Sequence, residues 1–174
     1  VFEDFEKPNY EGWTITGEAF GKRPARGTAG TQQPVSGFAG RGLVNTYSPS
    51  GDGPQGTATS KAFRIEKKYI GFLIGGGSHK EQTCINLRVD GKVVRTATGK
   101  DRELLEPASW DVADLKGKEA QIEIVDKSSA GWGHINVDQI IFSDTPPEPF
   151  LQKGTAGDTV AKTLGLTFTE AQDA

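Results

Sequence analysis

The sequence predicts an all-β protein, with an antiparallel sandwich or barrel as its architecture. Short runs rich in Val, Ile, Thr and Phe are separated by turn residues, and the chain holds 23 glycines and 9 prolines. No convincing amphipathic helix precedes position 145, and we find no internal repeat. A chain of 174 residues is long enough to bury a real core, so many short strands joined by turns are expected.

Composition narrows the classes of function. Charged residues make up 25% of the chain and the formal charge is -3, which excludes a strongly basic nucleic-acid binder and a disordered acidic tail. The charge balance therefore predicts no nucleic-acid partner. No stretch is typical of a signal peptide or a membrane span, so we expect no membrane partner. The single cysteine, Cys84, excludes an intrachain disulfide.

The strand candidates follow one another along the whole first part of the chain. They are Phe2 to Glu6, Trp13 to Thr16, Gly42 to Tyr47, Gly56 to Phe63, Tyr69 to Gly75, Thr83 to Val89, Lys92 to Thr98, Ser109 to Val112, Ala120 to Asp126 and His134 to Phe142. The pair Asp90-Gly91 predicts a two-residue type I′ hairpin, because both residues tolerate a positive φ. The strands on either side of it should be antiparallel neighbours.

Three of these segments divide into an apolar and a polar or bare face, because side chains alternate along a strand. In 70–75, 85–89 and 134–138 the apolar residues share one side of each strand. The opposite side carries glycines in the first segment and Asn86, Arg88, His134, Asn136 and Asp138 in the others. This predicts one sheet with a polar outer surface hollowed by glycine, which is either a ligand floor or plain solvated surface.

Two loops flank this surface. The segment Gly75-Gly76-Gly77-Ser78-His79 has almost no side chains, so a ligand or another backbone can approach it closely. Trp132 lies between Gly131 and Gly133, where its ring is either a platform for a sugar or a core ring that caps the sandwich.

Several stretches together carry a family resemblance. They are 17–21 (GEAFG), 34–38 (PVSGF), 40–45 (GRGLVN), 72–77 (FLIGGG), 83–87 (TCINL), 90–99 (DGKVVRTATG) and 131–138 (GWGHINVD). From Phe2 to Asp144 the chain resembles the non-catalytic β-sandwich module found beside levanases and related fructan hydrolases, and in other large secreted bacterial proteins.

The resemblance implies a jelly-roll, galactose-binding-domain-like sandwich. It also implies a carbohydrate-binding module for fructan or another polysaccharide, accessory to a glycoside hydrolase in a secreted, periplasmic or cell-surface protein. The Asn-Asp-Pro and Arg-Asp-Pro signatures of the hydrolases themselves are absent, so the module is not expected to be an enzyme. The alternative is a structural or protein-interaction sandwich that packs against a neighbouring domain of the same polypeptide.

A sugar site needs an aromatic platform and a few fixed hydrogen-bonding groups. Trp132 would supply the platform, and Arg88, Asn86, Asn136 and His134 the polar groups. His79, at the tip of the glycine loop, would close the rim.

Calcium is the expected cofactor. Jelly-roll sugar binders often join their first and last strands through calcium, and Asp4, Glu6 and Asp138 lie in the corresponding segments. Carboxylate oxygens are the ligands that this ion prefers. The alternative is that Asp4 and Glu6 are ordinary solvent-facing residues.

The composition changes after Ser143, where Thr145-Pro146-Pro147-Glu148-Pro149 breaks regular structure. We therefore expect a domain over 1–144 and, over 145–174, a linker and tail toward a neighbouring domain.

Overall fold

The computed structural model describes residues 1–146 as two packed antiparallel sheets. The strands are β1 (Trp13–Gly17), β2 (Val44–Asn45), β3 (Gly56–Ser60), β4 (Phe63–Arg64), β5 (Tyr69–Gly76), β6 (Thr83–Val89), β7 (Lys92–Thr98), β8 (Arg102–Asp111), β9 (Glu119–Asp126) and β10 (Ile135–Ser143). One sheet has the order β1-β3-β9-β6-β7, with β4 also paired to β9, and the other has the order β2-β10-β5-β8. The predicted fold class, an all-β antiparallel sandwich of the jelly-roll kind, is confirmed.

The main core fills the space between the sheets because the strands alternate as predicted. Ile70, Phe72 and Ile74 of β5 face inward, and so do the apolar residues of β6 and β10. Phe72 packs against Trp110 of β8 with ring centroids 4.7 Å apart. Burial of this apolar surface is the main stabilising contribution to such a sandwich.

The predicted hairpin is confirmed. Val89 pairs with Lys92, and the two residues between them have φ angles of 52° at Asp90 and 73° at Gly91. Two consecutive positive φ angles define the type I′ turn, whose twist suits the adjoining strands.

Four expectations about the strands are wrong. The predicted strand Gly56 to Phe63 is two strands, β3 and β4. Segment Phe2 to Glu6 forms only an isolated bridge between Glu3 and Ile140. Strand β8 begins at Arg102, seven residues before the predicted Ser109. Strand β6 lies in the other sheet from β5 and β10, so the predicted single polar face does not exist.

The outer face of the four-stranded sheet is covered and not open to solvent. Segment 25–43 crosses this face, and its two ends pair through a β-bridge between Ala25 and Leu43. Val35 and Leu43 of this segment pack with Leu73 of β5 and Leu105 of β8 into a second small core. The polar residues of β10 on this face are therefore buried, Asn136 and Asp138 completely. The expectation of a shallow exposed ligand floor is wrong.

The three glycines Gly75 to Gly77, where β5 ends, allow close backbone packing. A Cβ on Gly76 would lie 2.7 Å from the carbonyl oxygen of His134, and one on Gly77 would lie 2.0 Å from that of Trp132. The sequence left open whether a ligand or another backbone segment approaches these glycines, and the structure shows another backbone segment.

Strand β10 ends at Ser143, close to the predicted boundary at 144. The proposed linker and tail fall almost wholly on 147–174, outside the described residues, so that division stays a prediction. Within residues 1–146 no helix has the length and apolar character needed to cross a lipid bilayer.

Candidate functional site

One end of the sandwich carries a cleft of about 310 Å³, which we call the rim cleft. It lies where β2 ends and where β8 and β10 begin. Its lining residues are Thr31, Gln32, Gln33, Tyr47, Asp52, Glu103, Gly131, Trp132 and His134. This volume lies at the lower end of the range typical of small-molecule sites, so the cleft is the candidate binding site.

His134 is the centre of the rim cleft and is held by two carboxylates. Its Nδ1 lies 2.6 Å from Oδ1 of Asp52, and its Nε2 lies 3.0 Å from Oε1 of Glu103. Burial opposes the charge of the imidazole, but the hydrogen bonds and charges of Glu103 and Asp52 outweigh it and raise the pKa of His134. Since carboxylates only accept, the charged ring donates through both nitrogens.

Glu103 is fixed from several sides. Besides His134, Gln32 donates to its Oε2 over 3.0 Å and Asn136 donates to the same oxygen over 2.8 Å. Burial alone would raise the pKa of this carboxyl, but the hydrogen bonds from His134, Asn136 and Gln32 lower it, so Glu103 is ionised. Glu103 is only 7% exposed and thus supports His134 more than it contacts a ligand.

Two aromatic rings flank the imidazole. The Trp132 indole stacks on His134 with centroids 5.5 Å apart and an interplanar angle of 26°. Tyr47 meets the same ring edge-on at 5.2 Å. Trp132 is half-buried and belongs to the cleft lining, so it is not the core ring that the sequence left open as an alternative.

Trp132 has a φ of 59°, although it is a bulky residue with a Cβ. Such a conformation is costly outside glycine and is concentrated at functional sites. The neighbouring Gly133 must stay without a Cβ, because one there would lie 2.5 Å from the carbonyl oxygen of Ser128.

A buried carboxylate lies behind the cleft at the end of β9. Asp126 is fully buried, and neither of its oxygens has a hydrogen-bond partner within the described residues. Burial raises the pKa of Asp126 to about 7, although the nearby Thr46 hydroxyl, the backbone of Ser128 and the charge of His134 lower it; the charge of Asp52 raises it further. The same end of the sandwich therefore holds three carboxylates and one histidine.

The structure brings together only part of the site expected from the sequence. Trp132 and His134 line the rim cleft, and Asn136 lies buried behind it against Glu103. His79 contacts the Trp132 loop through the carbonyl oxygen of Gly131, at 2.8 Å from its Nε2, but does not line the cleft.

Asn86 and Arg88 lie elsewhere. They are on β6 in the other sheet, where both donate to Glu123, Asn86 over 3.2 Å and Arg88 over 3.0 Å. The expectation that they share a surface with His134 is wrong, since alternation within each strand says nothing about which sheet the strand joins.

The carboxylates expected to bind calcium lie around Asp138 of β10. Ala39 and Gln139 donate backbone N–H groups to Asp138 over 2.7 and 2.8 Å. Burial raises the pKa of Asp138 well above its ordinary value, and the charges of Glu6 and Asp4 raise it further. Carboxylate oxygens are the kind of ligand that calcium prefers, and the charges of Asp4 and Glu6 act on Asp138.

Glu6 and Asp4 are themselves engaged by the backbone. Arg41 and Gly42 donate N–H groups to Glu6 over 2.8 and 2.7 Å, and the N–H of Glu6 donates to Asp4 over 3.1 Å. No group of three or more His, Cys, Asp or Glu side chains arranged for a metal ion is found in residues 1–146. Calcium at Asp4, Glu6 and Asp138 stays a prediction.

The fold is a jelly-roll β-sandwich, and the rim cleft at its loop end is a candidate site. The chain is 49% identical over 148 residues to the Aspergillus rugulosus protein named "Putative glycosyl hydrolase ecdE". The match covers 83% of this chain and 21% of that protein, so the chain spans about a fifth of the relative's length. No protein-family model matches the chain.

Solved structures similar to this chain have low sequence identity. The K2 cleaved adhesin domain of Lys-gingipain is 13% identical with a TM-score of 0.49, covering 81% of this chain and 97% of its own. TmCBM61, solved with β-1,4-galactotriose, is 12% identical with a TM-score of 0.46, covering 79% and 91%. A family 35 carbohydrate-binding module of Clostridium thermocellum is 13% identical with a TM-score of 0.41, covering 76% and 92%.

Proposed function

We propose that this domain is a non-catalytic carbohydrate-binding module whose site is the rim cleft. The observation that supports it most is the constellation around His134, with the Trp132 and Tyr47 rings on either side and the Asp52 carboxylate at its edge. Sugars present apolar C–H faces and hydroxyl groups, which need an aromatic surface and fixed acceptors respectively. The cleft combines the two.

Asp52 is the acceptor best placed to reach a ligand. Its side chain is 29% exposed, while its hydrogen bond to His134 fixes one carboxylate oxygen. An ionised carboxylate has about four lone-pair positions, so Asp52 keeps acceptor capacity for sugar hydroxyls. His134 thereby acts as a positioning residue for Asp52.

The arrangement of the carboxylates supports a binding role over a hydrolytic one. Retaining and inverting glycosidases need two carboxyl groups that both face the scissile bond, one of them free to give a proton. In the rim cleft His134 stands between Asp52 and Glu103 and occupies both with hydrogen bonds. We therefore propose no catalytic step, and expect no release of reducing sugar from any polysaccharide that the domain binds.

We propose fructan as the first ligand to test and a secreted or cell-surface hydrolase as the parent protein. The resemblance to levanase-associated modules supports fructan, and the relative named as a glycosyl hydrolase, of which this chain matches a fifth, supports the accessory role. A module tethered to a hydrolase raises the effective concentration of its polysaccharide even when its own affinity is low.

The test is affinity electrophoresis of the domain in gels that contain levan, inulin, β-1,4-galactan or another neutral polysaccharide. Trp132→Ala should weaken retention about tenfold, because an aromatic contact contributes up to about 1.5 kcal/mol beyond its buried area. The control is Arg88→Ala, on the other sheet, which should leave retention unchanged. Retention by none of the polysaccharides would contradict the function, and loss in Arg88→Ala but not in Trp132→Ala would contradict the site.

A further inference from the structure

The charge of the rim cleft is one-sided. Its ionisable lining residues are Asp52, Glu103 and His134, together with the phenol of Tyr47, and neither lysine nor arginine lines it. The nearest source of positive charge is therefore the imidazolium itself.

That imidazolium compensates only one of the two carboxylates. His134 is 2% exposed and directs both ring nitrogens at Asp52 and Glu103, so it has no N–H left for a ligand. The triad as a whole carries a net negative charge, and its exposed member is the carboxylate of Asp52. At the triad a ligand therefore meets the acceptor Asp52 and no N–H donor from His134.

Asp126 adds to the negative potential from behind only when it is ionised, above a pH of about 7. It is fully buried without a hydrogen-bond partner in the described part of the chain, and it interacts electrostatically with both His134 and Asp52. Charges in such a buried setting are screened less than surface charges, so their field reaches the cleft.

We propose that the Asp52–His134–Glu103 array makes the rim cleft selective for uncharged saccharides and excludes those that carry carboxylate or sulfate groups. The proposal rests on the sugar-binding role of this cleft. Asp52 is its specificity-determining residue, because a pair of hydroxyls can donate to its carboxylate whereas an anionic substituent has no proton to give. Like charges placed together across an interface are strongly unfavourable.

The experiment compares each neutral polysaccharide with its own anionic derivative. Levan, inulin, β-1,4-galactan and dextran, each beside its carboxymethylated form, are used in affinity gels at low ionic strength. The neutral form that is retained should bind at least about tenfold more tightly than its carboxymethylated form, and added salt should narrow the ratio by screening.

Variants assign the selectivity to the array. Asp52→Asn should reduce the ratio of neutral to anionic binding several-fold. The control is Glu119→Gln, which removes the same charge at the opposite end of β9 from Asp126 and should leave the ratio unchanged.

The outcomes separate the two proposals. Retention by neither form of any polysaccharide would overturn the sugar-binding function itself. Equal or tighter binding of a carboxymethylated form would overturn the selectivity while leaving sugar binding intact. A preference that Asp52→Asn leaves unaltered, or that Glu119→Gln reduces equally, would show that the array is not its source.

Discussion

At the scale of single residues, the rim cleft and the region behind it contain two features that cost stability. Trp132 adopts a left-handed backbone conformation, and Asp126 is a carboxylate buried without a partner. Each of these features costs stability and is retained only where the surrounding fold enforces it. Both lie at the same end of the sandwich as the proposed ligand.

The strain at Trp132 predicts an unusual order of stability among its variants. Trp132→Gly should be more stable than Trp132→Ala by about 1 kcal/mol, because only glycine adopts a φ of 59° without the cost that a Cβ brings. Thermal unfolding of the two variants measures the difference, and both should lose glycan retention alike. An alanine variant as stable as the glycine variant would show that the backbone here is not strained.

The buried Asp126 predicts how stability depends on pH. Its pKa is about 7 in the folded protein and about 4 in an unfolded chain, so the folded protein holds a proton that the unfolded chain releases. The contribution of this residue to stability therefore falls as the pH rises from about 4 to about 7. Asp126→Asn should remove that fall and leave the variant more stable than the wild type at pH 8.

Melting temperatures measured between pH 4.5 and pH 8 test this. Titration of His134, whose pKa is raised, also lowers stability as the pH rises, so the informative quantity is the difference between variant and wild type. Glu119→Gln is the control and should follow the wild-type profile in parallel. A parallel profile for Asp126→Asn as well would contradict the assignment.

The sequence indicated some residues of the cleft but not their partners. Trp132 and His134 were predicted because glycines and alternation are local signals. Asp52 and Glu103 were missed because they lie 82 and 31 positions from His134. Nothing in a single sequence connects residues at such separations, so only the folded chain shows that His134 is held between two carboxylates.

At the scale of elements, the hairpin between β6 and β7 is the part that local chemistry specifies most completely. The turn residues, the strand lengths and the pairing of Val89 with Lys92 all follow from Asp90-Gly91 and the alternation beside it. Both strands were predicted with the bounds that the structure shows.

This turn predicts the effect of one methyl group. Gly91→Ala should destabilise the domain by about 1 kcal/mol, because a Cβ at a φ of 73° is strained although nothing lies within 4 Å of it. Gly53→Ala is the matched control, since a Cβ there also meets nothing within 4 Å and its φ is not positive. Chemical denaturation of both variants measures the difference, and equal stabilities would contradict the turn assignment.

Strand β8 shows why an element can escape sequence reasoning. Its first half contains Glu103 and Glu106 and then Pro107, a composition that does not favour a strand. The proline is tolerated because β8 lies at the edge of its sheet, where β5 is its strand neighbour and Ser36 bridges to the free side only at Leu104. Glu103 is buried although it is charged, because its carboxylate accepts a hydrogen bond from His134. This tertiary contact overrides the low strand preference of glutamate.

At the scale of the whole molecule, the fold class was predictable and the division into sheets was not. Inward-facing residues follow from period-two alternation, which holds for β5, β6 and the first part of β10, up to the register shift after Asp138. Sheet membership depends on contacts between distant strands, such as the pairing of β6 with β9, and on the segment 25–43 that covers one face. The predicted open polar wall failed for these reasons.

The calcium prediction also belongs to the whole molecule, because Asp4 and Glu6 lie near the start of the described chain and Asp138 near its end. If calcium binds there, adding it should raise the melting temperature and a chelator should lower it, since a ligand that binds only the folded state stabilises it. Asp138→Asn should abolish the calcium dependence. A melting temperature indifferent to both calcium and chelator would contradict the metal site.

The start and the finish of the domain lie side by side. The N–H of Phe2 donates to the carbonyl oxygen of Ile140 over 2.8 Å, and the ring of Phe2 stacks on that of Phe142 with centroids 4.6 Å apart. A polypeptide can therefore enter and leave the sandwich at almost the same point. Such a domain can be inserted into a surface loop of a larger protein without separating the strands of that protein. The rim cleft would then be presented on the surface of the larger protein.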